Sequence, residues 1–464
     1  MIWRELERRI AVAKDRPVVI HGGGELTGAD LLDRVAAAAA ALPEPAGPRP
    51  WRAVIRQRDP LDLLLHVLAC WRQGFSAAVL RDSMTDAQVA DIASWLGPAA
   101  RLEEPPPPSL ATLAASPAPG SLGPRDEALV ICTSGTTGTP KLVALPAESV
   151  CINAATIAAA LGIGPNDRIA VNTPLGYMYG LMGGCMASLW AGACCRLFAP
   201  AAPLPELQAA IRREGVTVVQ GPPSLFRIFL GYWNGEPFPG VRTVTTGGEP
   251  LGPDLAAGLA QAFPDARRLF LYGMTEAGPR ISHLSFEEGG GEDACVGVPY
   301  EHLEWRLDPI PGQEAGRLVL RGPSMFLGYI RHGGGYEGLD AEGFFHSNDL
   351  MSLDPDGRLH FRGRIDRIFR SGGRLVNPEA VERVLVAQPG VEDAVCRAES
   401  HPLLGLVPVA EVVMEPQATF DAVALREGCR SRIEPHALPR RIVEAEPWSL
   451  AESGKRRRPA GPAG

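Results

Sequence analysis

The run Thr133-Ser-Gly-Thr-Thr-Gly-Thr-Pro-Lys141 decides how the rest of this 464-residue chain is read. It follows Ala128-Leu-Val-Ile131 almost directly, an apolar segment that the pattern predicts as a buried strand. Gly135 and Gly138 let the backbone come close to an anion. The hydroxyls of Thr133, Ser134, Thr136 and Thr137 can donate hydrogen bonds, and Lys141 adds a point charge. Such a loop cradles phosphate. It is not a Walker A loop, because the GxxxxGK[ST] spacing is absent.

The lysine in that loop is itself uncommon. The chain has 45 basic residues, and only three, Lys14, Lys141 and Lys455, are not arginine. Arginine serves where positive charge alone is needed, whereas a compact, mobile ammonium is a distinct chemical tool. Two of the three lysines fall in motifs, Lys141 here and Lys455 near the C-terminus. The net charge of −8, without a long basic tract, argues against a nucleic-acid partner. A hydrophobic content of 45% excludes a disordered chain. Nine cysteines without a CxxC pair argue against a disulfide framework and a structural zinc site. The uncharged stretch from Pro174 to Cys195 contains five glycines and reads as a buried helix rather than a membrane span. No apolar signal region opens the chain, so a cytoplasmic protein with free thiols is expected.

Outward from the loop, residues 1–100 alternate helical and strand patterns. Helices are predicted over Asp30–Leu42 and Leu61–Gln73, the second closed by Gly74, with a strand from Ala53 to Arg56. The Pro-rich segment from Glu104 to Asp126 reads as a surface connection. From 127 to 300, strands at Ala128–Ile131, Arg168–Val171, Val216–Val219, Thr243–Thr245 and Arg268–Leu271 alternate with helices, which predicts parallel βαβ units. Short strands and turns follow, including a hairpin over Leu353–His360. Beyond Gly363 a small α+β unit is predicted. Its helices are Pro378–Ala387 and Asp421–Arg432, and its strands Ala394–Arg397, Val407–Met414 and Arg441–Glu444.

The 133–141 loop resembles the signature loop of the adenylate-forming superfamily, which comprises acyl- and aryl-CoA synthetases, peptide-synthetase adenylation domains and luciferases. Further motifs resemble that family in the same order. They are Thr245-Thr-Gly-Gly-Glu-Pro250, Leu271-Tyr-Gly-Met-Thr-Glu-Ala-Gly278, His346-Ser-Asn-Asp349, Gly363-Arg-Ile-Asp366 and Ser453-Gly-Lys455. The resemblance implies an α/β fold: a large N-terminal domain (1–365) of doubly wound βαβ subdomains with a small β-rich subdomain, then a mobile α+β domain (366–464). It implies that Tyr272 stacks on adenine, that Gly248 and Glu249 line the adenine edge, and that Asp349 binds the ribose hydroxyls. Thr275 would bond near the α-phosphate, Glu276 would hold Mg2+, and Arg364 would contact the ATP phosphates. Asp366 would be the pivot, and Lys455 would bridge the substrate carboxylate and the α-phosphate during adenylation. Two positions depart from the pattern: Asn348 stands where Gly is usual, and Arg370 where Lys is common.

By the same resemblance, Tyr177, Tyr179 and Gly247 line the substrate pocket. Amino-acid-activating members place an Asp near the position of Tyr179, to pair with the α-ammonium. No acidic residue occurs from Asn172 to Pro205, and an unpartnered buried ammonium would be expensive. The implied substrate is an apolar or aromatic carboxylic acid without a free α-amino group. The implied activity is ATP- and Mg2+-dependent formation of acyl-AMP, then transfer to a thiol. The acceptor is most simply coenzyme A, with the phosphopantetheine of an acyl carrier protein as the alternative. A non-catalytic nucleotide-binding scaffold protein and a luciferase-like oxidative activity are the other readings.

Overall fold

A computed structural model describes residues 1–44, 48–97, 100–103, 122–133, 141–199, 202–402 and 405–448. Asp59 caps the helix Pro60–Gln73 by accepting from the amides of Leu61 and Asp62, and Gly74 ends it with a left-handed φ of +81°. The helix Gly28–Ala40 opens on a capping box between Thr27 and Asp30. Both helices bury an aliphatic face in one core, which also takes in Trp71, Ile131, Leu145 and Met182. The Trp71 indole donates to the Ala128 carbonyl at 2.7 Å, which ties helix to strand.

Two large sheets share this core. In the eight-stranded sheet the order is Arg280–Ser285, Arg267–Gly273, Thr243–Gly247, Val218–Gln220, Arg168–Val171, Cys194–Leu197, Pro17–His21 and Gly24–Thr27. Its inner strands are parallel, and the two edge strands run antiparallel to their neighbours. The seven-stranded sheet runs Tyr336–Glu337, Gly328–Ile330, Lys141–Pro146, Glu127–Thr133, Ser76–Val79, Arg52–Arg56, Ala100–Glu103. Parallel pairing runs through the inside of both sheets, but the predicted strand at Ala128–Ile131 lies in a different sheet from the other four strands predicted over 127–300. The phosphate-type loop also does not lead into a helix. It connects Glu127–Thr133 to the antiparallel strand Lys141–Pro146, with Thr133 opposite Lys141.

The uncharged stretch 174–195 is buried, as expected, but is not one α-helix. It forms a π-helix over Tyr179–Met186, a short α-helix over Ala187–Ala191 and the start of the strand Cys194–Leu197. Glycines explain the wide turn: a Cβ on Gly180 would lie 2.3 Å from the Thr173 carbonyl oxygen. A Cβ on Gly184 would lie 2.8 Å from both Val171 methyls. Among the described residues, no helix is long and apolar enough to cross a membrane.

A five-stranded antiparallel sheet follows, in the order Cys295–Gly297, Leu359–Arg364, Phe345–Leu353, Gly316–Arg321 and Glu304–Pro309. Its predicted hairpin turns at Asp354, whose Oδ1 accepts from the amides of Asp356 and Arg358. The last unit packs the helices Pro378–Val386 and Ala422–Arg430 on the strands Val391–His401, Gly405–Met414 and Arg441–Glu444 around its own core. The predicted Pro-rich connection lies largely outside the described residues.

Candidate active site

The strand Arg267–Gly273 carries Tyr272 near its C-terminal end. In the antiparallel sheet, Asp349 and Arg364 sit opposite each other on the hairpin Phe345–Leu353 and Leu359–Arg364. The Tyr272 hydroxyl donates to Asp349 Oδ2 at 2.5 Å, and Arg364 Nη1 donates to Asp349 Oδ1 at 3.3 Å. Arg364 also donates to both carboxylate oxygens of Asp366, at 3.0 and 2.8 Å. Asn348 Nδ2 reaches Asp366 Oδ2 at 3.3 Å, so this departure from the usual Gly adds a side-chain donor to the same network. Three sequence motifs thus converge on one chain of hydrogen bonds.

Burial pushes the Asp349 carboxyl above its ordinary range, although the Tyr272 hydroxyl and Arg364 pull the other way. Tyr272 is raised well above a free phenol, first by burial and then by the Asp349 charge. Asp366 ends below its ordinary value: burial alone would raise it, but Arg364 prevails. Gly363 has a φ of +141°, and a Cβ there would lie 2.7 Å from Asn377 Oδ1. Only glycine lets the end of this strand pack against the helix of the last unit.

At the phosphate end, the Thr133 hydroxyl donates to the Lys141 carbonyl at 3.4 Å. Ser134, Gly135, Thr136, Thr137 and Gly138 lie outside the described residues, as does Lys455. Lys141 Nζ stands 4.7 Å from the centre of the Tyr329 ring. The Tyr329 hydroxyl donates to Glu276 Oε1 at 2.6 Å. Tyr329 therefore joins the loop lysine to the carboxylate expected to hold Mg2+. It reaches both because Gly328–Ile330 pairs with Lys141–Pro146. No sequence motif marks Tyr329.

Thr275 and Glu276 are half-buried in a single 3-10 turn, Thr275–Ala277. The N-cap of that turn is Met274, and the Thr275 hydroxyl makes no hydrogen bond among the described residues, so Thr275 is not spent on capping. A carboxylate beside a lysine-bearing loop suits a hard cation that is bound mainly by phosphates. Gly248 takes a φ of +81°, and a Cβ on Gly247 would lie 2.1 Å from the Leu271 carbonyl oxygen, so this turn is pressed against the strand that delivers Tyr272. Glu249 Oε2 accepts from the Ser224 amide at 3.0 Å, in the first turn of the helix Pro223–Gly231. That carboxylate has a structural use alongside the one expected of it.

The two pocket tyrosines part company. Tyr177 lies 5.8 Å from the Arg81 guanidinium and lines a cleft with Arg58, Thr173 and Phe198. Tyr179 sits with the Gly247 strand, its hydroxyl 3.2 Å from Thr245 Oγ1 and its ring 4.7 Å from the Arg280 guanidinium. Arg280, like Tyr329, is a residue that sequence reasoning missed. It is only 5% exposed, and its Nη2 has no acceptor. Among the described residues, no carboxylate pairs with it. Burial pulls its pKa below that of a free arginine. An unpaired buried charge costs several kcal/mol, of which a desolvated cation–π contact returns about 2. Its only sequence signal is a charge two residues past the turn glycine of a core motif, in a chain where arginine is common.

The model for AMP-binding enzymes matches residues 6–330, and that for the AMP-binding enzyme C-terminal domain matches residues 380–455. The chain belongs to the AMP-binding enzyme family. Feruloyl-CoA synthase of an Amycolatopsis species is 29% identical over 97% of this chain and 96% of its own length. The 2-succinylbenzoate–CoA ligase of Arabidopsis thaliana is 30% identical over 76% of this chain and 68% of its own. Among solved structures, ATP-bound MatB from Rhodopseudomonas palustris superposes with a TM-score of 0.85 at 23% identity, covering 98% of this chain and 97% of that one. The expected mixed α/β fold, with a large first part and a small last one, is that of these neighbours. As a member, the chain is an AMP-forming acid–thiol ligase.

Proposed function

We propose that this enzyme activates a carboxylic acid lacking a free α-amino group as its acyl-AMP and transfers the acyl group to coenzyme A. The observation that carries the reading is the convergence of Tyr272, Asp349 and Arg364 at one end of a site whose other end holds Lys141, Tyr329 and Glu276. Asp349 offers two acceptor oxygens to a ribose, beside the Tyr272 ring. Lys141 and the loop hydroxyls receive phosphate oxygens. Glu276 would hold Mg2+, which would supply neutralisation of phosphate charge. The o-succinylbenzoate synthetase of Bacillus subtilis, a structural neighbour, was solved with ATP and a magnesium ion. Feruloyl-CoA synthase and 2-succinylbenzoate–CoA ligase, by their names, use coenzyme A, which supports that acceptor here.

In the acyl pocket, the Arg280 guanidinium behind Tyr179 would repel a substrate ammonium, which supports an acid without one. The Gly247 turn and the Tyr179 ring supply its apolar walls. After adenylation the small unit, from about residue 367, turns about Asp366, withdraws Lys455 and admits the thiol. The acceptor is tested by supplying preformed acyl-AMP with either coenzyme A or a pantetheinylated carrier protein. Thioester on coenzyme A alone supports the reading. Thioester on the carrier protein alone replaces it.

A further inference from the structure

Arg280 opens the edge strand Arg280–Ser285, directly after the turn that holds Thr275 and Glu276. It is buried to 5% exposure, with Nη2 unpartnered and no acid within ion-pairing distance among the described residues. Around it stand the Tyr179 ring, the backbone of Gly183 and the Gln220 side chain. A Cβ on Gly183 would lie 3.1 Å from Arg280 Nη2 and 3.2 Å from Gln220 Oε1. Gln220 is 2% exposed, and its Oε1 also lacks a donor. Two unsatisfied polar atoms therefore stand beside the same glycine without pairing to each other. A buried charge without a partner is strongly destabilising, so its presence here calls for a use. The charge is explained when its partner arrives with the substrate.

We infer that Arg280 receives a second carboxylate on the acid substrate, so that the enzyme activates one end of a dicarboxylic acid and anchors the other. The inference rests on the acid-activating reading above and narrows its substrate class. An apolar or aromatic body then lies between the two carboxylates, against Tyr179 and the Gly247 turn. Arginine suits the task, since its planar fork binds a carboxylate through two parallel hydrogen bonds. Tyr179 holds the guanidinium through its ring face, while its own hydroxyl is engaged with Thr245. Arg280 is thus a specificity residue that stays clear of the reacting carboxyl.

The test uses succinate, glutarate, adipate and terephthalate, each beside its monomethyl ester, which keeps the chain and removes one charge. Acid-dependent ATP–pyrophosphate exchange in the full-length enzyme should favour at least one diacid over its ester by about 10- to 100-fold in kcat/KM. In Arg280→Met that preference should reverse, with diacid exchange falling and ester exchange rising. A thermal shift reads binding separately from chemistry. The favoured diacid should raise the Tm of the native enzyme and leave that of Arg280→Met unmoved, while Arg280→Met alone should melt no lower than the native protein. Esters or other monoacids activated as well as every diacid, with no diacid-specific Tm shift, would overturn the inference and leave the ligase reading intact. A diacid-specific Tm shift with no exchange would do the reverse.

Discussion

At Asp349 a carboxylate is held where burial disfavours its charge, and among the described residues Tyr272 and Arg364 compensate it. Its folded-state pKa lies above its unfolded one, so the native state binds the extra proton. The contribution to stability then falls as pH rises through the carboxylate range. Asp349→Asn should accordingly keep or raise Tm at neutral pH while weakening ATP binding about tenfold or more, through the loss of a charged acceptor. Calorimetric titration beside a melting curve checks this, and a lower Tm with unchanged ATP affinity would contradict it. Tyr329→Phe keeps the ring under Lys141 but removes the donor to Glu276. It should lower stability by about 1–2 kcal/mol in a denaturant titration. At this scale the sequence singled out Lys141, Glu276, Asp349 and Arg364, and the structure gathers them with Tyr272 and Tyr329. The sequence was silent on Tyr329 and Arg280, whose meaning comes from contacts with residues far along the chain: Tyr329 meets Glu276 across 53 positions.

Elements were legible where local chemistry punctuates them. Gly74 closes one helix and the Asp-Pro-Asp-Gly turn closes a hairpin, as read. The caps at Asp59 and Thr27, which start their helices one and two residues earlier than expected, went unread. The π-helix was not legible, because uncharged, glycine-rich sequence carries no signal for the wider turn. Its need for glycine appears only from the carbonyl of Thr173 behind Gly180. Gly180→Ala should cost about 1–3 kcal/mol through overpacking, measured by chemical denaturation, and an unchanged midpoint would show that the segment can re-form as an ordinary α-helix. The strand ends of the parallel sheet are tied at Asp167, which accepts from Arg242, Thr217 and Gly164. Burial would raise this carboxyl, but those donors hold it below its ordinary value. Its stabilisation is present above the ordinary carboxylate range and lost as pH falls through the lowered value. Asp167→Asn should therefore lose about 2 kcal/mol at neutral pH, the scale of hydrogen bonds to a charged group, and show a flatter acid limb of Tm against pH.

Across the whole molecule, the site is assembled from all three N-terminal sheets. The seven-stranded sheet brings Lys141 and Tyr329, the eight-stranded sheet Tyr272, and the antiparallel sheet Asp349 and Arg364. Local pattern predicts the strands but not which sheet each joins, since partner choice depends on crossovers through the shared core. The antiparallel partner of the phosphate-type loop is one result of that gap. At this scale Lys455→Ala should cut adenylation by about 100-fold or more, as loss of charge stabilisation in a transition state does. Thioester formation from supplied acyl-AMP should persist, and equal loss of both would contradict domain alternation. The central claim is tested most directly by acid-dependent ATP–pyrophosphate exchange over a panel of mono- and dicarboxylic acids. The account predicts exchange that requires Mg2+ and at least one acid in the panel. Folded enzyme that exchanges pyrophosphate with none of them would contradict it.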